Sequence, residues 1–374
     1  MTRVLVYILS LLFCCGLCGC HKRTNTPEPQ GDTVAFSHAQ LLHVIRTDSF
    51  AIATIRDAWN PGQHLHQYLL LPHGAPVPAI APQATVVRIP IRRAVAFSSV
   101  HAALFATLRK SESLCGVCDT EYIYHEGLRS ALAAGRLSDM GSSMSPDIER
   151  LVSEGADALF VSPFENAGHG AILQTGIPII ECADYMESSP LGRAEWMRFY
   201  GLLLGCEAQA DSLFTEVEKA YTTLSHKALQ QQSKPTVLCD TKSGAAWYVP
   251  GGRSTMGQLF ADAGAQYLFA DREQSGSVSL SFEAVYQQAG KADFWLIKYG
   301  SATNLTYESL SHDFKPYEAF SAWQKHNIYG CNTFGSPFYE ETPFHPERLL
   351  SDLVKIFHPK LLPDYVPQYY HPLH

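Results

Sequence analysis

The chain has 374 residues, long enough for two domains of ordinary size, each with its own core. A hydrophobic content of 46% against 17% charged residues excludes a disordered polymer. The 28 basic and 36 acidic residues leave a net charge of −8, which excludes a nucleic-acid binder working through a basic excess.

In chain order, a targeting segment comes first and stands outside fold reasoning. Arg3 precedes a nearly unbroken apolar run from Val4 to Leu17, ending in Leu17-Cys18-Gly19-Cys20. This resembles a bacterial lipobox, with Gly19 just before the cysteine and Leu17 three residues before it. The resemblance implies a signal peptide over 1–19 and lipidation of Cys20; a cysteine-rich secretory signal is the alternative. Each buried methylene contributes roughly 0.8 kcal/mol, so several acyl chains on one residue anchor durably. Residues 20–35 read as the lipidated cysteine and a polar tether reaching on the order of 20 Å. His21-Lys22-Arg23 follows without an acidic cluster, which favours the periplasmic face of the inner or outer membrane. No later apolar run approaches the roughly 20 residues that span a bilayer.

Residues 36–90 read as a β-rich leader, with strand-like runs at 50–55 and 68–72 around the turn Asn60-Pro61-Gly62. His64 and His66 share a strand face, but two histidines without a third read as surface residues. Beyond residue 20, six cysteines are too sparse to staple a domain. Cys115-Gly-Val-Cys118 matches a CxxC pattern without thioredoxin-like surroundings, so it reads as a local disulfide or two unpaired thiols.

From 91 the pattern becomes α/β. Residues 93–98 form a strand, 101–108 a helix, 137–141 a short strand and loop, and Ser145-Pro146 opens a helix of about ten residues. Strands follow at 158–161 and 177–180, with a helical stretch over 169–175 between them. Ser189-Pro190 caps a helix that Gly205 ends, and a second helix runs over 207–231. The theme then repeats: strands at 236–239, 247–249 and 294–297, helices over 255–264, 282–289 and 348–357, and a surface-packed tail at 359–374. Such units imply mainly parallel sheets in two lobes, 91–189 and 233–374, joined by the helix pair 190–232. An internal echo supports this: residues 143–161 and 279–297 both run from Ser-x-Ser through an early glutamate and Ala-Asp to an apolar strand. Glu149 and Glu283 sit two positions out of register within it.

Ligands of open α/β sheets sit beyond the carboxyl ends of the strands. The loops there carry Ser98, Ser99 and His101; Ser162 to Asn166, including Phe164 and Glu165; and Asp184 with Tyr185. In the second half they carry Trp247, Tyr248 and Arg253, then Tyr299, then Asn332 to Tyr339 with Phe338. The set suits a large, partly apolar ligand, with Arg253 available to an anionic group, although Trp247, Tyr248 and Phe338 are also candidates for the core.

The ordered segments RAVAFSSVHAALFATL, MSPDIERLVSEGADALFVSPFE, EWMRFYGLLLGCEAQADSLF, WYVPGGRSTMGQLFADAGAQYLFAD, SLSFEAVYQQAGKADFWLI and HPERLLSDLVKIFHPKLLPD resemble one family. It is the helical-backbone (cluster A) class of solute-binding proteins of ABC importers, especially the iron-siderophore and cobalamin branch. The likeness covers roughly 90–370 and leaves the leader outside. It implies two Rossmann-like lobes joined by one long helix, a ligand cleft between them, and a monomer that meets a permease and its ATPase. It also implies that Glu149 and Glu283 dock on permease arginines, one per lobe; the alternative is that both merely favour their helix N-termini. The expected cargo is a metal chelate of siderophore type, with haem or a corrinoid as rivals, and no cofactor or resident metal is expected.

An enzyme is the competing class. The chain has no GxSxG elbow, no HExxH, and a run Gly251 to Gly257 that ends without a Walker lysine. Ser98 and His101 have no third partner evident in the sequence. The expectation is carriage, with modest lobe movement because a continuous helix resists bending.

Overall fold

The computed structural model describes residues 31–78 and 83–374. The signal segment, Cys20 and most of the tether lie outside the described residues. The leader forms a sheet of its own. Strands β1 (Asp32–Val34), β2 (Leu42–Arg46), β3 (Ala51–Arg56) and β4 (His64–Pro72) pair antiparallel, and β5 (Thr85–Ile89) joins β4 in parallel. His66 lies on β4 and bonds Thr85, 2.7 Å away.

The first lobe follows as strand-helix units: β6 (Ala94–Ala96), α1 (Ser99–Thr107), β7 (Leu114–Val117), α2 (Glu126–Ala133) and β8 (Ser138–Asp139). After a small hairpin of β9 (Gly141–Ser142) and β10 (Ser145–Pro146) come α3 (Ile148–Ser153), β11 (Ala158–Val161) and β12 (Ile179–Glu181). The sheet order is β12-β11-β6-β7-β8, parallel throughout. Helix α3 is shorter than the ten residues expected. Asp147, not Ser145, is its N-cap and accepts the Arg150 N–H, which leaves Ser145 and Pro146 to the hairpin. Cys115 and Cys118 are unpaired and buried, not bridged. Burial pushes their thiols up to about 11 and about 12, so neither is poised for redox chemistry.

Ser189 caps α4 (Pro190–Leu204) by accepting the Gly192 N–H, and Pro190 takes the first helical position. Gly205, left-handed at φ 63°, ends the helix and turns the chain into α5 (Glu207–Leu229). The 23 residues of α5 span about 34 Å. The two helices cross closely because residue 201 is glycine: a Cβ there would lie 2.5 Å from that of Ala210.

The second lobe contains β13 (Thr236–Cys239), β14 (Lys242–Ser243), β15 (Ala246–Pro250), α6 (Thr255–Asp262), β16 (Gln266–Tyr267), β17 (Ser277–Leu280), α7 (Phe282–Ala289) and β18 (Phe294–Tyr299). Helices α8 (Tyr307–Asp313) and α9 (Ser321–Gln324), strand β19 (Ile328–Asn332), α10 (Phe338–Glu341), α11 (Pro346–Phe357) and β20 (His371–Pro372) complete it. The main sheet runs β16-β13-β18-β19-β20, with only β20 antiparallel; β14, β15 and β17 form a separate antiparallel sheet. The C-terminal tail therefore does more than cover a surface. It supplies the edge strand, and Asp352 on α11 holds it by accepting the N–H groups of Gln368, Tyr369 and Tyr370.

The internal echo has a structural reason. Asp157 accepts the N–H groups of Arg92 and Arg93, just before β6, while Asp293 accepts the N–H of Thr236 at the start of β13. In each lobe this aspartate ties the start of its own strand to the start of the neighbouring parallel strand. The two-residue offset of the glutamates also resolves, because the caps are Asp147 and Ser281. Glu149 and Glu283 each occupy the second position of their helices.

Buried carboxylates fasten the leader to this frame. Glu195, 0% exposed on α4, accepts the N–H groups of Ser37, His38 and Ala39 and pairs with Arg198. Glu187 accepts those of Gln40 and Leu41 and of the Trp196 indole. Tyr68 then covers the edge of β12, donating to the Ile179 carbonyl and accepting the Glu181 N–H. A buried carboxylate is tolerated when its lone pairs are filled in this way. Glu195→Ala should therefore cost about 3 kcal/mol, since it strands three backbone amides; Arg198 keeps Asp211 and the Ala35 carbonyl. Urea unfolding of the two proteins measures this, and an unchanged midpoint would remove Glu195 as the fastening.

Candidate functional site

The lobes face each other across a cleft that holds a cavity of about 450 Å³. The first lobe lines it with Ser98, Ser99 and Val100 at the start of α1 and with Asp119, Tyr122 and Tyr124 beyond β7. The second lobe supplies Gly300 after β18, Thr333, Phe334 and Ser336 after β19, and Tyr339 and Glu340 on α10. These are strand-end positions, as parallel sheets require. Aromatic faces and hydroxyls dominate the lining.

One end of the cleft rests on a chain of buried polar groups. Ser98 is the N-cap of α1, but its hydroxyl makes no cap bond and instead approaches His101 Nδ1 at 3.3 Å. His101, 2% exposed, bonds Asp184 Oδ1 through Nε2 at 2.9 Å, and Asp184 Oδ2 accepts from Arg193 Nε at 2.9 Å. Burial opposes the charge on Asp184, yet Arg193 and His101 hold its carboxyl below the ordinary value. Among the described residues, the Arg193 Nη atoms have no hydrogen-bond partner on the protein. Arg193 lines both a 170 Å³ recess with Ser98, His101, Phe164 and Tyr185, and a 210 Å³ recess with Met256, Lys298, Phe338 and Tyr339. Its fork is thus fixed on one side and open on the other, which suits a bidentate anion. Lys298 in the second recess lies 3.8 Å from Asp240.

The structure thus brings Ser98, His101, Phe164, Tyr185 and Phe338 together at the cleft. Phe338 is buried, packed edge-on against Tyr339 and Tyr369, and so forms floor as well as wall. Glu165 is exposed next to Phe164 and does not line these cavities. Three expectations are corrected. Trp247 is 0% exposed in an aromatic core with Trp295, Tyr317 and Phe320, its indole bonded to the Cys239 carbonyl. Tyr248, half-exposed opposite Ser279, and Arg253, exposed ahead of α6, do not line the cleft cavities either. The common cause is that β15 belongs to the small antiparallel sheet, so the strand-end rule does not apply to it. Tyr299 lines a separate cavity of about 420 Å³ in the second lobe, where its hydroxyl accepts the Leu305 N–H.

Sequence reasoning missed Arg193, Glu340 and the loop carrying Asp119, Tyr122 and Tyr124. The loop was findable, because Leu114–Val117 is a short strand and the three residues follow its carboxyl end. Arg193 had no such signal, since it lies in the first turn of a helix. Glu149 and Glu283 are both exposed in the first turns of α3 and α7, one on each lobe.

A two-lobed α/β chain with a long connecting helix and an interlobe cleft is the architecture of a ligand-binding protein. Residues 104–333, more than half of the chain, match the periplasmic binding protein family, and the chain belongs to it. Two uncharacterised lipoproteins of Methanocaldococcus jannaschii are similar. One is 25% identical over 308 residues, covering 79% of this chain and 73% of the relative. The other is 22% identical over 307 residues, covering 79% and 77%. Similar solved structures include a periplasmic haem-binding protein from Roseiflexus sp. RS-1 (TM-score 0.56, 20% identity, 72% of this chain and 98% of that one). A ferric hydroxamate transport protein from Saccharomonospora viridis (0.56, 17%, 72% and 94%) and a TroA-like binding protein from Veillonella parvula (0.57, 15%, 77% and 96%) share the fold.

The Asp184 network carries a pH prediction. Its carboxyl is depressed in the folded chain, so its contribution is present above the ordinary carboxylate range and lost as pH falls through the folded value. Asp184→Ala should cost about 3 kcal/mol at pH 7 by leaving Arg193 and His101 unpaired, and clearly less in strong acid. Urea unfolding at both pH values tests it; an equal cost at each would refute the pairing.

Proposed function

We propose that the chain is a lipid-anchored, monomeric solute-binding protein of an ABC importer. It captures a metal chelate of siderophore type in the interlobe cleft and delivers it to the permease and its ATPase. The supporting observation is the 450 Å³ cavity lined by both lobes, with aromatic walls, together with the adjoining recesses, sharing Ser98, Val100 and Tyr339 with it, that Arg193 lines. A chelate presents the matching surfaces: apolar faces for Tyr122, Tyr124, Phe334 and Tyr339, and oxygen anions for Arg193. Haem or a corrinoid is the rival cargo. For haem, His101 is a poor axial ligand because both of its ring nitrogens are engaged, one by Asp184 and one by Ser98. The anchor is assigned to Cys20, outside the described residues, and no helix among those described is long and apolar enough to cross a membrane.

The chain purified with its native ligand should show a ligand-to-metal charge-transfer band and the mass of a ferric chelate. A Soret band or a corrin spectrum would replace this cargo by haem or cobalamin, and a recurrently ligand-free protein with no uptake defect on deletion would refute carriage. Arg193→Ala should weaken retention of that ligand by at least about tenfold, as loss of a paired charge-assisted contact does. For the permease, Glu149 and Glu283 are the proposed contacts. Changing both to alanine should lower uptake several-fold while ligand affinity is unchanged, and normal uptake would remove the docking role.

A further inference from the structure

Besides its cavity, the cleft contains a direct contact between the lobes, and the group at its centre is titratable. Glu340, on α10 of the second lobe, is 4% exposed but forms no ion pair among the described residues. Its Oε1 accepts the backbone N–H of Tyr124 from the first lobe at 2.9 Å. Tyr124 reciprocates across the same gap, its hydroxyl accepting the Gly335 N–H at 3.0 Å. Two bonds of opposite sense therefore join the same two segments, and both side chains also line the cavity. We propose that Glu340 and Tyr124 form a latch between the lobes, and that closing it takes up a proton on the Glu340 carboxyl.

Among the described residues, no cation forms a hydrogen bond or ion pair with Glu340. On its own helix, Glu341 adds repulsion; Arg348 on α11 is engaged with Glu341 at 3.1 Å and Glu347 at 3.8 Å. Lys298 and Arg193, which share a recess with Phe338, Tyr339 and Thr342, pair with Asp240 at 3.8 Å and Asp184 at 2.9 Å. His345 pairs with Glu347. Helix α1, packed against α10, contributes only His101, which is held by Asp184. The facing loop contributes Asp119, the phenols of Tyr122 and Tyr124, and His125, whose ring accepts the Leu128 N–H at the start of α2. Tyr339, and Tyr369 whose hydroxyl donates to Glu341 at 2.7 Å, add further phenols.

Burial pushes the Glu340 carboxyl up to about 7, while the Tyr124 and His125 amides pull the other way. Opening the cleft would return the group to water and to its ordinary value of 4.5. Between the two, the closed form binds the additional proton. Closure is therefore strengthened fully below the lower value and loses this contribution as pH rises through about 7. Protonation preserves the latch, because a neutral carboxyl keeps an oxygen to accept the Tyr124 N–H and gains a hydroxyl donor. The closing equilibrium should change by roughly tenfold to a hundredfold across that window.

Amide hydrogen exchange on the full folded chain, corrected for intrinsic pH dependence, reads the latch at Tyr124 and Gly335. Protection should be at least about tenfold greater at pH 5.5 than at pH 8.5. Glu340→Gln keeps the acceptor without the titration, so its protection should be high and independent of pH. Equal protection of the unaltered chain at both pH values, or pH dependence that survives in Glu340→Gln, overturns the proposal. Carbon NMR of the Glu340 carboxyl in the unaltered chain is a second test that needs no variant. A midpoint near 7 supports the latch, and one at the ordinary glutamate value overturns it.

Discussion

The structure depends on one close crossing. Helices α4 and α5 meet where Gly201 lets the backbone approach Ala210 without a side chain between them, and the left-handed Gly205 turns one into the other. From that crossing α4 reaches into the first lobe, carrying Glu195 to the leader and Arg193 to the cleft. Helix α5 reaches the second lobe and packs along α11. The placement of the lobes, the leader and the cleft arginine therefore share one steric condition. A side chain at 201 would push the two helices apart at their crossing.

Much of this was legible in the sequence because local chemistry and tertiary packing agree there. Ser189-Pro190 and Gly205 bound α4 as capping rules require, and apolar runs such as 158–161 and 236–239 became strands with those limits. The failures lie where neighbours decide. Asp147 displaced Ser145 as a cap, which shortened α3 but placed Glu149 in step with Glu283. Trp247 looked like a strand-end aromatic, yet β15 pairs with β14 and β17 outside the parallel sheet, turning the indole into the core.

The candidate site was half legible for a related reason. Ser98, His101, Phe164 and Tyr185 follow strands that periodicity reveals. Arg193, by contrast, reaches the cleft from a helix, oriented by Asp184 from a loop nine residues away. What results is a cleft with two characters. The Tyr122, Tyr124, Phe334 and Tyr339 end is aromatic with two carboxyls, and the other end offers a guanidinium fixed from behind by a buried acid and histidine. Such preorganisation suits holding a ligand of mixed character in one orientation.

A crystal structure of the chain purified with its native ligand shows most directly where that ligand sits. Ligand density between Tyr124 and Phe334, with an anionic group on the Arg193 Nη atoms, is the predicted result. Density confined to the second-lobe cavity around Tyr299, with the interlobe cleft empty, would contradict it.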